Sequence, residues 1–179
     1  NQEQDLGFDF GFESENEESF QSLGPAAMIS LLAMFVLLVV QFRSISKPLL
    51  IFLAIPFSLF GVAFGLYITG NPFSFFSMIG FIGLIGIVVN NTILLIDAAA
   101  RWKREGHDTV ESIALGVEER FRPLITTTLT TVVALTPLAV SDPFWEPLAV
   151  TIIFGLLSST FLVIVSFPAY YIGFDVVSD

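Results

Sequence analysis

The chain has 179 residues, of which 54% are hydrophobic and 13% charged, with a mean hydropathy of +0.82. A water-soluble domain carries about 25% charged residues, so this composition excludes a surface wetted on all sides and makes a lipid bilayer the natural solvent. The net charge of −10 does not imply a basic partner, because seven acids crowd between Glu3 and Glu18; the lack of a basic patch leaves nucleic-acid binding without support, and the lack of Cys excludes disulfides and thiolate metal sites.

The sequence opens Asn1-Gln2-Glu3, with neither an initiator Met nor the basic stretch of a signal peptide, and reads as the interior of a longer protein. Residues 1–23 are polar and acidic, and nothing in them spans a membrane. Phe8, Phe10 and Phe12 alternate with Gly7, Asp9 and Gly11, the period of a short half-buried strand. Gly24-Pro25 then breaks the chain.

A membrane-crossing helix needs about 20 mostly apolar residues. Five stretches meet or approach this: residues 26–42, 48–69, 75–100, 123–140 and 147–173. Gly70-Asn71-Pro72 and Ser141-Asp142-Pro143 are turn signals between them. Pro56 lies inside the second stretch and predicts a kink.

All seven basic residues fall in two intervals. Arg43 and Lys47 separate the first two spans; Arg101, Lys103, Arg104, Arg120 and Arg122 separate the third and fourth. Alternating topology puts both intervals on one face, which the positive-inside rule assigns to the cytoplasm. The N-terminal segment and the turns at Asn71 and Asp142 then lie outside, and the C-terminus inside. Within the longer interval, Asp108 and Glu111 have capping-box spacing. Val110, Ile113, Ala114 and Val117 follow at helical spacing, predicting an amphipathic interfacial helix over about 108–119.

Polar groups inside apolar spans are costly and often mark an ion path. The third span holds Asn90 and Asn91, then Asp97 near its end, with Arg101 four residues later. Asn90 and Asp97 are seven apart and share a face. The asparagines suit either interhelical hydrogen bonding or an ion relay; Asp97 and Arg101 suit either a relay or a plain interfacial ion pair. The fourth span starts at Arg120 and continues with Thr126, Thr127, Thr128, Thr130 and Thr131; Arg120 and Thr127 again share a face. This stripe can carry protons or water, or its hydroxyls can bond back to their own helix. Gly61 and Gly65, and Gly80, Gly83 and Gly86, are spaced for close helix contact. There is no phosphate loop, metal cluster or nucleophile triad, and the single histidine, His107, falls in a charged loop.

The run from Gly86 to Asp97 (Gly-Ile-Val-Val-Asn-Asn-Thr-Ile-Leu-Leu-Ile-Asp) resembles a signature of resistance-nodulation-division (RND) transporters of the hydrophobe/amphiphile class. Arg120-Phe121-Arg122-Pro123-Leu124 with Thr126-Thr127-Thr128, then Thr136-Pro137-Leu138, Trp145-Glu146-Pro147 and Phe167-Pro168, resemble the spans that follow it in that family. The similarity covers about 150 residues in order. It implies an all-α membrane protein whose five spans are the last five of twelve, with residues 1–23 the end of a periplasmic porter domain. It implies a homotrimeric inner-membrane exporter that is not an enzyme, needs no cofactor and is driven by inward proton flow. A periplasmic adaptor and an outer-membrane channel are its candidate partners.

In the family, protons load an aspartate pair on a first-half helix. A lysine, an arginine and a threonine complete the relay. The arginine position falls on Arg120 and the threonine on Thr127, whereas the lysine position falls on Asn90, beside Asn91. A neutral amide can donate a hydrogen bond to an aspartate but cannot neutralise it, so this departure puts the coupling ion and its stoichiometry in question. Heavy-metal members tend to carry an acid near this point, so metal export is not expected. A lipid- or protein-exporting relative, or a structural membrane subunit without transport, are the alternatives.

Overall fold

The computed structural model describes residues 23–175, with side chains to residue 168. The expected strand around Phe10 and nearly all of the expected porter segment lie outside the described residues. The chain divides into two compact units, residues 1–43 and 44–179. In the first, helix α1 (Leu23–Phe42) is apolar over its whole length. Met28, Ile29, Leu32, Val36 and Val40 are all exposed, as suits a helix solvated by lipid.

The second unit contains α2 (Ser46–Phe52), α3 (Ala54–Thr69), α4 (Phe75–Arg104), α5 (Thr109–Ser141) and α6 (Glu146–Asp175). Among the described residues all regular structure is helical, and five segments are long and apolar enough to cross a bilayer. These match the five expected spans.

The second span is broken where α2 meets α3, at Leu53, rather than bent at Pro56 itself. Proline lacks an N–H and its ring collides with the carbonyl four residues back. That carbonyl belongs to Phe52, the last residue of α2. Leu53 keeps helical angles (φ −64°, ψ −20°), so the interruption is local. Gly70 ends α3 at φ 73°, and the Asn71 N–H donates to the Leu66 carbonyl at 3.1 Å, a helix end that needs a residue without Cβ.

The expected interfacial helix is not a separate element. Residues 109–141 form one helix of 33 residues, with Pro123 inside it. Proline fits helical φ but forfeits the backbone hydrogen bond to the Glu119 carbonyl and crowds that oxygen. Packing on both sides of the site offsets that loss, with Gly116 against the Ala99 backbone and Leu124 buried. The capping box is absent as well. Asp108 occupies the cap position, but its side chain makes no capping bond. Glu111 instead meets His107, with Oε2 3.2 Å from Nδ1.

Helix α6 is the hub of the second unit and packs against α3, α4 and α5. Ala54, Val62, Leu66, Leu84, Val88, Val150 and Leu156 form its shared core. Lipid is as apolar as these side chains, so close packing and interhelical hydrogen bonds hold membrane helices together. Glycine provides the closeness between α3 and α6. A Cβ on Gly61 would sit 2.3 Å from Ser158 Cβ and 2.4 Å from the Phe154 carbonyl oxygen, and one on Gly65 would meet the Phe154 ring at 2.5 Å. Ser158 Oγ donates across the same seam to the Phe57 carbonyl at 3.0 Å. Between α5 and α6, the buried hydroxyls of Thr128 and Thr160 bond each other at 3.0 Å.

This last pair makes a direct test of polar contacts in the core. Thr128→Val is expected to destabilise the protein by about 1 kcal/mol, because Thr160 is left unpaired. The double variant Thr128→Val/Thr160→Val should cost less than the two single changes added together. Thermal unfolding of the detergent-solubilised protein reads both; strict additivity would show that the bond contributes nothing.

The two ends of the second unit differ. At one end, Asn71 Nδ2 donates to Glu146 Oε1 at 2.9 Å, tying the α3–α4 turn to the α5–α6 turn. Phe76 lies against Phe144 and Trp145 there, with ring centroids 4.3 and 5.2 Å apart. At the other end, the α4–α5 loop brings Arg101 and Trp102 onto Glu119.

Candidate functional site

The relay candidates lie on α4 and α5, the two helices that cross the membrane as an antiparallel hairpin. Helix α4 buries Leu84, Val88, Thr92, Leu95, Ile96 and Ala99 against its neighbours. Its opposite edge carries Gly83, Gly86, Asn90 and Asp97, all exposed. A Cβ on Gly83 or Gly86 would meet nothing within 4 Å. Of the three expected packing glycines on α4, only Gly80 is closely packed, and a Cβ there would lie 2.9 Å from the Leu148 carbonyl oxygen. The sequence therefore holds two kinds of glycine on one helix: one buried in a seam, two on a bare polar edge.

The neighbouring asparagines diverge because successive helical residues point about 100° apart. Asn90 stands on the bare edge. Asn91 is half-buried and lines a small cavity with Thr92, Leu124 and Thr160. The two do not act on one point, so the expected pair separates into an outward and an inward amide.

On α5, Arg120 and Thr127 lie seven residues apart on one stripe. Arg120 is half-buried, and its Nε is buried without a hydrogen-bond partner. A guanidinium N–H taken from solvent and left unpaired is costly. Thr127 Oγ1 donates to the Pro123 carbonyl at 2.8 Å, and Thr130 and Thr131 donate to the Thr126 and Thr127 carbonyls at the same distance. The threonines thus bond back to their own helix, one of the two arrangements their spacing permits. Each hydroxyl oxygen retains lone pairs, so Thr127 remains an acceptor on an exposed face. Among the described residues, no hydrogen bond or ion pair joins Asn90 or Asp97 to Arg120 or Thr127.

The pairing of Arg101 differs from expectation. Its guanidinium donates to Glu119 Oε2 rather than to Asp97, and the Trp102 indole donates to the same oxygen at 3.1 Å. Helical spacing identifies an i+4 partner on the same helix; the antiparallel return of α5 supplies a better one eighteen residues on. Arg101 is thereby fixed at the loop as a brace between α4 and α5. Trp102 also meets His107 edge-on, with centroids 5.4 Å apart, so this histidine is packed rather than free in a loop. Sequence reasoning missed the Glu119 brace, the Asn71–Glu146 tie and the Thr128–Thr160 bond, all of which join residues far apart in the chain.

A family model described as AcrB/AcrD/AcrF matches residues 3–175. The chain belongs to the AcrB/AcrD/AcrF family. The RND resemblance carried by the Gly86–Asp97 run is thus correct. Within this family the chain is 36% identical over 166 residues to the swarming motility protein SwrC of Bacillus subtilis, covering 90% of this chain and 16% of SwrC. It is 35% identical over 147 residues to the cobalt-zinc-cadmium resistance protein CzcA of Cupriavidus metallidurans (80% of this chain, 14% of CzcA). It is 33% identical over 164 residues to the multidrug resistance protein MdtC of Proteus mirabilis (89% of this chain, 16% of MdtC). The crystal structure of a heavy metal efflux pump superposes with a TM-score of 0.80 at 31% identity, covering 90% of this chain and 17% of that one. The chain spans about one sixth of the length of these AcrB/AcrD/AcrF-family relatives. Metal and multidrug pumps match comparably well, so family membership leaves the expected bias against metal cargo unsupported.

Proposed function

We propose that this chain is the C-terminal membrane part of a proton-driven inner-membrane exporter that moves drugs or other amphiphilic compounds out of the cell. One observation carries the reading. Gly83, Gly86 and Asn90 form an exposed small and polar edge on an otherwise packed membrane helix, with nothing within 4 Å of either glycine's Cβ position. Polar groups in a membrane helix face protein or water, not lipid. A first-half helix bearing the family's aspartate pair fits that edge. Its small residues allow close approach, and Asn90, Arg120 and Thr127 then act on the aspartates.

In this arrangement Arg120 supplies the positive charge and Asn90 a neutral hydrogen bond, with Thr127 accepting a hydrogen bond or relaying a proton as it gives up its own. Proton loading of the aspartates neutralises them and releases Arg120. Asp97, at the cytoplasmic end of the α4 edge, then marks where protons leave. The working protein is a homotrimer with its N-terminal segment outside and its C-terminus in the cytoplasm. It works with an adaptor and an outer-membrane channel, and draws on the proton gradient without a cofactor.

Cargo is chosen in porter domains beyond this chain, and here a second reading has specific support. The likeness to CzcA and to a heavy metal efflux pump favours a divalent cation as cargo. Reconstitution of the full-length protein in proteoliposomes separates the two. An imposed pH gradient should drive movement of a fluorescent lipophilic amine but not of Zn²⁺, and a protonophore should stop it. Zn²⁺ movement alone would establish the second reading. Transport that persists after the gradient collapses would overturn the proton-driven proposal itself.

A further inference from the structure

A groove of about 470 Å³ runs between α5 and α6. Phe121, Ile125 and Leu129 form one wall and Phe161 and Val165 the other. Phe121, Leu129, Phe161 and Val165 remain 48–68% exposed. The floor is the Thr128–Thr160 hydroxyl pair, and their mutual bond at 3.0 Å lowers the cost of covering them with an apolar guest. We infer that this groove is a specific site for an anionic phospholipid, with its alkyl chains between α5 and α6 and its phosphate at Arg122.

Four features select that occupant. Arg122 is exposed and is next in sequence to Phe121, which lines the groove. It lies three residues before Ile125 and seven before Leu129, hence on the same side of α5. From Phe121 to Leu129 the helix rises about 12 Å, close to one leaflet of a hydrocarbon core about 30 Å thick. The groove therefore lies within a single leaflet, with the cation at headgroup depth. Spread over that length, the volume gives a cross-section of about 40 Å², enough for alkyl chains.

The fourth feature is direction. Ile125 and Thr127 are two residues apart, which places them about 160° apart around the helix. The groove thus opens away from the Arg120–Thr127 stripe, and so away from the helix proposed to cover that stripe. This step alone rests on the proposed relay; charge, depth and width stand without it. Arginine is suited to the role because its stem can lie along the groove wall while its head remains at the phosphate level.

The test is a photo-crosslink from the groove wall. p-Benzoylphenylalanine replaces Phe161 in the full-length protein, which is placed in nanodiscs of equal parts phosphatidylglycerol and phosphatidylcholine and analysed by mass spectrometry after illumination. The expected adducts are lipids, with phosphatidylglycerol favoured about five-fold, the scale of one basic residue at a membrane surface. Arg122→Gln should bring the ratio to near one. Arg120→Gln, which disables the proposed relay, should leave it unchanged, so that failure of the relay and failure of the lipid site are read separately. A ratio near one in the parent protein, a ratio insensitive to Arg122→Gln, or a crosslink to another segment of the protein would each overturn the inference.

Discussion

Replacing Arg120 with Ala is expected to lower proton-coupled export by the full-length protein at least 100-fold, to about the level of empty vesicles, without changing its expression. The side chain is half-buried, and in the proposed relay it is the positive partner of the aspartate pair. Removing one member of a buried, hydrogen-bonded charge pair costs about 3–5 kcal/mol because the other charge is stranded. At about 1.4 kcal/mol per factor of ten, that exceeds two orders of magnitude. Arg120→Lys should recover part of the activity, since it keeps the charge but loses the planar fork. Asn90→Ala should cost far less, about one neutral hydrogen bond or roughly tenfold. Dye efflux from proteoliposomes under an imposed pH gradient measures all three. Export at the parent rate by Arg120→Ala would remove the arginine from the relay.

Gly61→Leu is expected to abolish stable folding, and Gly61→Ala to destabilise by about 1–3 kcal/mol, the usual penalty for forcing volume into a packed seam. The reason is local: a Cβ at Gly61 meets the Phe154 carbonyl oxygen at 2.4 Å, and backbone cannot rotate out of the way as a side-chain tip can. Thermal unfolding of the detergent-solubilised protein should show the graded loss. Gly83→Ala is the informative comparison. Its Cβ meets nothing in this chain, so with lipid alone on that edge the change should be neutral or gain up to about 1 kcal/mol in helix propensity. A cost comparable to that of Gly61→Ala would reveal a helix pressed against the α4 edge. An unaffected Gly61→Ala would mean that the α3–α6 seam is looser than its geometry indicates.

The spans were legible because hydropathy depends on composition alone, and a run such as 75–100 needs no partner to announce itself. The charges and turns between spans were legible for the same reason. What escaped were choices among competing partners. Arg101 has Asp97 one turn away, yet bonds Glu119 on the returning helix. Glu111 has the spacing of a capping residue, yet meets His107. Pro56 predicts a disturbance, and the sequence places it at the proline, but the clash acts one turn earlier at Phe52 and Leu53. Pro123 suggests a boundary, but close packing of Gly116 on Ala99 carries the helix through. The glycines show the limit most clearly. Gly61 and Gly83 look alike in sequence, and only the third dimension separates the one that is enclosed from the one that is bare. The relay residues were found by resemblance. Asn90 and Thr127 stand exposed, in accord with the role proposed for them, whereas Arg120 is half-buried and Asn91 turns inward; the mutational series above tests Arg120 and Asn90.

The unbroken course of α5 has a mechanical consequence. At 1.5 Å per residue its 33 residues make a shaft about 50 Å long, against a hydrocarbon core about 30 Å thick. A tilt of about 10° around the bilayer midplane would sweep the overhanging tip sideways by about 6 Å on that geometry. The Glu119 brace would drag the end of α4 with it. Small repacking beside Thr127 would therefore be carried beyond the membrane as lever travel, with Pro123 the point along the way where a backbone hydrogen bond is missing.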